Sequence, residues 1–462
     1  MVGSGPNGLA AAIVLARAGL RVEVFEAEEI PGGGVRSMEL TLPGFVHDFG
    51  SAVYPLGVGS PFFSSLPLQE YGLEWVHSPA PLAHPLDDGT AVVLERDIGA
   101  AAAELGADGR SWRSLLEPFV RNWRAFAPEI LRPVVRVPRH PWLMARFGMK
   151  ALLPAQVIAK RFKSERTRAL FAGLAAHSFL ALDELLSGAF GILMAAPAHA
   201  VGWPIARGGS QSITNALCAY LARLGGQVGT SCRVESLDAV KDYDLILCDV
   251  SPRQLIAIGG RQLSNSYQAR LKKFRYGPGV FKVDYALSAP IPWRAPECAR
   301  AATVHLGGTF EEIALAEKAV RSGEHPQRPF VLLAQPSLFD ASRAPAGKQT
   351  AWAYCHVPNG STVDMLSRLE DQIERFAPGF RDTVLARSVL SPSRLESMDA
   401  NLGGGDISGG LIDIRQMLFR PTTKLYVTSA AHIFLCSSST PPGGGVHGMC
   451  GYHAAKTALA SL

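Results

Sequence analysis

The chain has 462 residues, 45 basic and 40 acidic side chains, a formal charge of +5 and 47% hydrophobic content. Such a length buries a large core and predicts two domains, and so mild a charge gives no case for nucleic acid as a partner. The seven cysteines (Cys218, Cys232, Cys248, Cys298, Cys355, Cys436, Cys450) are scattered without any C-x-x-C spacing, which argues for a reducing compartment and against a zinc site or dithiol redox chemistry.

The chain opens on MVGSGPNGLA, in which Gly3-x-Gly5-x-x-Gly8 is the pattern that brings backbone N–H groups against a pyrophosphate at a helix N-terminus. Leu9 to Ala18 is apolar and of helical length, and Gly19 stands where a helix C-cap belongs. RVEVFE then alternates as a strand does and ends at Glu26, about twenty residues past the glycines, where an acid accepts hydrogen bonds from the adenosine ribose hydroxyls and repels a 2′-phosphate. Only Met1 and Val2 precede the glycines, where a buried strand is expected, so a mis-assigned start is the reading of this end.

Further along, Arg132, Arg136, Arg139, Arg146, Lys150, Lys160, Arg161, Lys163, Arg166 and Arg168 face a single acid, Glu165, with Trp142, Leu143, Met144, Phe147, Leu152 and Leu153 interleaved. This stretch could rest on anionic lipid, or be a solvated helix face with an apolar inner side. The longest uncharged run, Leu185 to Ala206, has the length of a membrane span, but Gly188, Gly191, Pro197, Gly202 and Pro204 interrupt it, so a buried or substrate-lining segment is expected. Gly208 to Val228 reads as a glycine turn, a helix and a second glycine stop. The following CRVESLDAVKDYDLILCDVSP predicts short strands, with Leu245 to Val250 buried and ended by Pro252. GPGVFKVDYAL and QTAWAYCHVP also read as strands. No internal repeat or low-complexity linker interrupts the chain.

At the C-terminus, a strand at Phe434 to Cys436 leads into a glycine-rich turn and an Ala-rich helix through Ala460. Gly443-x-Gly445-x-x-Gly448 satisfies the dinucleotide pattern literally, but no acid-terminated strand follows it, so a second nucleotide site is not expected. The free N–H groups of such a helix start suit the O2/N1 edge of an isoalloxazine, where negative charge gathers on reduction.

Taken together, GSGPNGLAAA, VFEAEEIPGGGVRS, GFVHDFGSAVYP, GWPIARGGSQS, RYGPGVFKVDYAL and STPPGGGVHGMCGYHAA resemble the flavin-dependent amine oxidase and phytoene desaturase superfamily, more narrowly its phytoene dehydrogenase-related group. The resemblance covers nearly the whole chain. It implies an α/β fold: a Rossmann-like, glutathione-reductase-like FAD-binding domain assembled from residues 1–89, 206–252 and 392–462, with an inserted α+β substrate domain from 90–205 and 253–391. Carried over residue by residue, it implies the pyrophosphate at Gly3, Gly5, Pro6, Asn7 and Gly8, the ribose at Glu26 and Ala27, and adenine at the backbone of Val234. Gly32 and Gly33 match the paired glycines of the family's GGRxxS/T motif and Ser37 its last position. Gly34 holds the family's arginine position, and Arg36, two residues on, stands as a candidate to replace it. Asp48, Gly50 and Ser51 are expected beside the flavin, and Ser439, Gly444, Gly445, Val446 and His447 near its pyrimidine edge. Several of these glycines could instead be simple turn formers.

Lys282 is the sharpest catalytic candidate, because an apolar strand tolerates a lysine badly unless its ammonium finds a partner or loses its proton. The segment is similar to the amine-oxidase strand whose lysine holds a water at flavin N5; a lysine snorkelling to solvent is the alternative. Asp284 lies two residues on and so on the same face, as a partner for Lys282 or a solvated charge. His305, His356 and His447 are candidate acid/base groups, or hydrogen-bonded structural histidines.

The expectation is therefore an FAD-dependent oxidoreductase that moves hydride between flavin N5 and an apolar, isoprenoid-like or lipid substrate. Its electron acceptor is open among dioxygen, a quinone and a diffusing partner. Amine oxidation, redox-neutral isomerisation and a mainly regulatory flavoprotein are the alternatives. A cytoplasmic setting is expected, with peripheral membrane contact through residues 132–168 and a homodimer as further options, or a mitochondrial matrix setting for a eukaryotic chain.

Overall fold

The structure, a computed structural model, describes residues 1–462. Two sheets organise it. In the first, all strands are parallel: Gln227–Gly229, Glu23–Phe25, the single residue Val2, Ile246–Cys248 and Ile433–Leu435, in that spatial order. Val2 is locked on both sides, donating its N–H to the Leu247 carbonyl (2.9 Å) while Gly3 donates to the Phe25 carbonyl (2.8 Å). Numbered along the chain, this order is 3-2-1-4-5, the doubly wound arrangement that leaves a crevice beside the carboxyl end of the first strand. Alternate residues face opposite sides. Val24, Leu247 and Phe434 pack with the Pro6–Arg17, Gln211–Arg223 and Met449–Leu459 helices. Val2, Ile246, Cys248, Ile433 and Leu435 pack with Leu255 and Tyr267.

The second sheet has seven strands in the order Val384–Leu390, Gly279–Leu287, Gln349–Val357, Val331–Ala334, Ala301–Leu306, Ala80–Pro85 and Ala91–Leu94. Every pair is antiparallel except Ala301–Leu306 with Ala80–Pro85. The Ala80–Pro85 strand lies on the cofactor-domain side of the boundary expected at residue 89, yet it is an inner strand of this sheet, because residues 80, 82 and 83 pair with 301, 303 and 304. One face carries Phe281, Val283, Tyr285, Leu333, Ala353 and Cys355 and packs on the Leu366–Phe376 helix. The other is roofed by the Gly109–Arg121, Glu165–Ala176 and Ser187–Ala200 helices. The uncharged run is the last of these, a 14-residue buried helix, and no helix of the protein is long and apolar enough to cross a membrane. The strands expected in CRVESLDAVKDYDLILCDVSP reduce to one, Ile246–Cys248, since Cys232 to Glu235 runs as an irregular exposed segment.

Candidate functional site

The first helix begins at Pro6, whose missing N–H is no loss at a first helical position, and its N-cap, Gly5, offers no side chain. The N–H groups of Gly5 and Asn7 take no protein acceptor, so two donors stand free at the positive end of the helix. Gly8 must be glycine because a Cβ there would lie 2.3 Å from the Gly3 carbonyl oxygen. The Gly32–Gly34 turn faces this start: a Cβ on Gly33 would sit 3.4 Å from the Gly5 Cα, while one on Gly34 would enter open space. Glu26 ends the neighbouring strand, buried, and accepts from the Ser4 N–H (2.9 Å), the Ser4 hydroxyl and the Glu28 N–H (3.0 Å). Ala27 follows it, half-buried, and Val234 lies half-buried two residues past Cys232, whose N–H bonds the Glu26 carbonyl.

One residue here was not anticipated. Asp249, at the end of the Ile246–Cys248 strand, accepts the Gly8 N–H at 2.8 Å, and its side chain fills the space a Cβ on Gly5 would need. Burial pushes its carboxyl up to about 7, with Asp399 and Glu26 adding to the effect and the Gly8 bond opposing it. Near neutral pH the group is thus about half protonated, so its negative charge at the helix start is reduced. The free donors, the open Gly34 and the buried acceptor at Glu26 fit a dinucleotide with its pyrophosphate on this helix.

The C-terminal glycine cluster comes to the same place. The Met449–Leu459 helix crosses the first helix so closely that a Cβ on Gly451 would be 1.8 Å from the Asn7 carbonyl oxygen. Gly444, Gly445 and Val446 keep partial or full exposure beside it, whereas Ser439 is buried and bonded to Ser437 at 2.7 Å. Burial holds the His447 ring down to about 4, hence neutral, and its Nδ1 accepts the Met449 N–H at 3.0 Å. The ring hydrogen therefore sits on Nε2, the nitrogen nearest Gly445.

Between the two clusters, Gly50 packs on the Gly34 carbonyl and Ser51 donates its N–H to it at 3.3 Å, both half-exposed. Arg36 turns its guanidinium onto the Gly33 and Met398 carbonyls (2.8 Å each) and over the Phe49 ring, so it ties the glycine turn to residue 398. Asp48 and Ser37 are likewise engaged by protein. The Asp48 carboxylate takes Arg343 (2.7 Å), the Ser37 hydroxyl (2.9 Å) and the Ser210 N–H (2.7 Å), and these overcome burial to hold it below the usual carboxylate range.

Lys282 stands on the roofed face of the seven-stranded sheet, almost fully buried and paired with Asp284, so it does not snorkel to solvent. Burial pushes the Asp284 carboxyl up to about 6, against the pull of the ammonium. His47 approaches the same carboxylate at 3.7 Å, and burial and Lys282 hold its ring down to about 3. The Lys282 ammonium also lies 5.8 Å from the centre of the Trp352 ring, which stacks on Tyr354 at 5.5 Å.

The register separates the histidines. Tyr354 lies opposite Lys282, so His356 is one strand across and two residues along, roughly 8 Å away between backbones. His356 Nδ1 donates to Glu317 Oε2 (2.8 Å), both buried, and its Nε2 has no partner. His305 is three strands from Lys282, about 14 Å, and pairs with His177 at 3.0 Å between ring nitrogens. Burial holds both of those rings down. The structure thus groups Lys282 with Asp284, His47 and Trp352, brings His356 to the edge of that group with Glu317 behind it, and leaves His305 apart. Asp249 carried a local signal, an acid at the carboxyl end of a buried strand; Glu317, His47 and Arg343 carried none.

Residues 1–64 match an NAD(P)-binding Rossmann-like domain family. Along its whole length the chain is 24% identical to the mouse pyridine nucleotide-disulfide oxidoreductase domain-containing protein 2, of which the match covers 93%. It is 25% identical to an all-trans-zeta-carotene desaturase of Myxococcus xanthus over 86% of this chain and 79% of that protein. The chain resembles the phytoene dehydrogenase-related group of the FAD-dependent amine oxidase superfamily. Its fold agrees with that resemblance: a redesigned putrescine oxidase superposes with a TM-score of 0.61 over 99% of this chain and 97% of the other, at 15% identity. The chain therefore has a carotene desaturase among its sequence relatives and shares its fold with a putrescine oxidase.

Proposed function

We propose that the protein is an FAD-dependent dehydrogenase of the desaturase type, acting on an apolar, isoprenoid-like or lipid substrate. The observation that carries this reading is the roofed sheet face, where a few polar groups stand in an otherwise apolar, aromatic wall. Lys282, Asp284 and His356 share that face with Val280, Leu332, Trp352, Tyr354 and Leu390, and the roof above adds Phe171 and Phe179. A hydrocarbon lying against such a wall would be bound by area alone, at roughly 25 cal/mol per Å² buried, and kept from water.

FAD, when bound between the two glycine-rich helix starts, would supply the hydride acceptor at N5. Removing hydrogen from adjacent carbons also requires a proton acceptor. His356 Nε2 meets that need, since Glu317 on Nδ1 fixes the orientation and tautomer of the ring and leaves Nε2 without a protein partner. The Lys282–Asp284 pair keeps a charge-assisted donor on the same face, suited to fixing a water. His447 offers its Nε2–H, and Gly5 and Asn7 their backbone N–H groups, to the electron-rich parts of the cofactor. Dioxygen or a quinone would be the electron acceptor. The amine-oxidase alternative is less well served: Trp352 and Tyr354 lie 7° from parallel and in contact, leaving no gap between them for an ammonium group.

The test is an anaerobic spectral titration of the purified holoprotein against carotenoid precursors, acyl chains and amines. Bleaching of the flavin band by an isoprenoid or acyl substrate is expected; bleaching by amines alone would overturn the substrate class. Lys282→Met should slow reoxidation by air or quinone by orders of magnitude after photoreduction, and an unchanged rate would remove the water-holding role.

A further inference from the structure

The segment between the Trp123–Ile130 helix and residue 163 does not look like a solvated surface. Eight of the eighteen exposed large apolar side chains of the whole chain fall between residues 134 and 157. The first three, Val134, Val135 and Val137, occupy a loop that is held from behind. Buried Glu129 accepts the N–H groups of Arg139 (2.7 Å) and His140 (3.0 Å) and pairs with Arg132, which in turn bonds the Val137 carbonyl at 3.0 Å. Val137, 89% exposed, is therefore presented outward by a built loop.

The Pro141–Ala151 helix continues the patch. Its inner side, Leu143, Phe147 and Ala151, packs into the core under the roof helices. Its outer side carries Trp142, Ala145, Arg146 and Met149, spaced three and four apart, with Leu152 and Leu153 just beyond. A helix that is apolar on both sides needs a second apolar partner, yet Trp142 is 88% exposed. Residues 132–163 carry eight basic side chains and no acid. Crowding among them is visible at Lys150, whose ammonium is pushed down by partial burial and by Arg161 and Arg146.

We propose that residues 134–157 form a membrane-docking surface that inserts Val137, Trp142, Met149 and Leu152 into the interface of an anionic bilayer, with the surrounding arginines and lysines on the headgroups. Charge selects this occupant: two copies of the patch would bring like charges together, whereas acidic lipid satisfies both its apolar tip and its basic rim. The inference stands whatever the substrate of the flavin site.

Flotation of the full-length holoprotein with phosphatidylcholine vesicles, with and without 30% phosphatidylserine, tests it. Binding is expected to the phosphatidylserine vesicles, weakened at high salt. Trp142→Ser with Met149→Ser should lower partitioning about tenfold or more, and Arg139→Glu with Arg146→Glu by about fivefold or more per charge. Retained flavin absorbance and unfolding midpoint would show that these exposed changes leave the fold intact. Brominated lipid should quench native fluorescence and lose that part of the effect in Trp142→Phe. No flotation with anionic vesicles, unchanged flotation of the Trp142→Ser/Met149→Ser protein, or a solution dimer that this pair of changes dissociates would overturn the proposal, the last by assigning the patch to a second copy.

Discussion

On one face of the seven-stranded sheet stand Phe281, Val283, Leu333 and Ala353; on the other, from the same strands, stand Lys282, Asp284, Trp352, Tyr354 and His356. Both faces are buried, so exposure does not distinguish them. What differs is the partner. The apolar face is closed chiefly by the amphipathic Leu366–Phe376 helix, whose Leu369, Ile373 and Phe376 fill it, whereas the polar face lies under helices that add aromatic rings, with Glu317 supplied by the Phe310–Arg321 helix. Strand alternation thus places chemistry and packing one residue apart, and a polar residue is affordable only where another element meets it with a matching group.

This contrast can be broken most severely at Asp284. Asp284→Ala leaves the Lys282 ammonium buried without its carboxylate and should reduce unfolding free energy by about 3–5 kcal/mol, as chemical denaturation would record. The double change Lys282→Met with Asp284→Leu, which makes this part of the polar face resemble its opposite, should restore most of that loss.

Asp249 sharpens the point in the parallel sheet, because the only hydrogen bond to its carboxyl comes from a backbone N–H. Its carboxyl sits at about 7 in the folded chain, chiefly through burial, against about 4 when unfolded. The folded state therefore holds an extra proton between those values. The resulting stabilisation is complete below about pH 4 and lost as pH rises through 7. Asp249→Asn cannot titrate, so thermal unfolding followed from pH 4 to pH 8 should show the native protein falling relative to the variant, by on the order of a few kcal/mol at pH 8.

The smallest effect belongs to the apolar face. Tyr285 buries a hydroxyl there with no partner, so Tyr285→Phe should raise stability by about 1 kcal/mol and leave flavin absorbance and turnover unchanged. A loss of turnover would mean that the two faces are not as separate as their packing indicates.

Much of the cofactor site was legible because its signals are local. A glycine turn, a helix start and a strand ending in an acid occupy a continuous stretch from Gly3 to Glu26, and the second glycine cluster is equally compact. Alternation alone put Lys282 and Asp284 on one face, and they pair as that spacing allows. The histidines show where local reading stops. His305 and His356 look alike in sequence, each single among apolar neighbours, yet strand order sets one three strands from Lys282 and the other one strand away. The Cys232–Glu235 stretch has apolar and polar residues in strand-like order but finds no neighbouring strand, so its alternation has nothing to pair with.

The sequence by itself determined the dinucleotide-type helix start, the acid placed for a ribose, the helix behind the last glycines and the lysine in an apolar strand. Each of these follows from backbone sterics or side-chain period within a few residues. Only the tertiary structure decided that Asp249 reaches across 241 positions to the Gly8 N–H, that Glu317 backs His356, that Arg343 and Ser210 take up Asp48, and that Gly451 lets the two ends of the chain cross at Asn7. Those meetings depend on strand order and helix approach, which are set by how the whole chain buries its apolar faces at once.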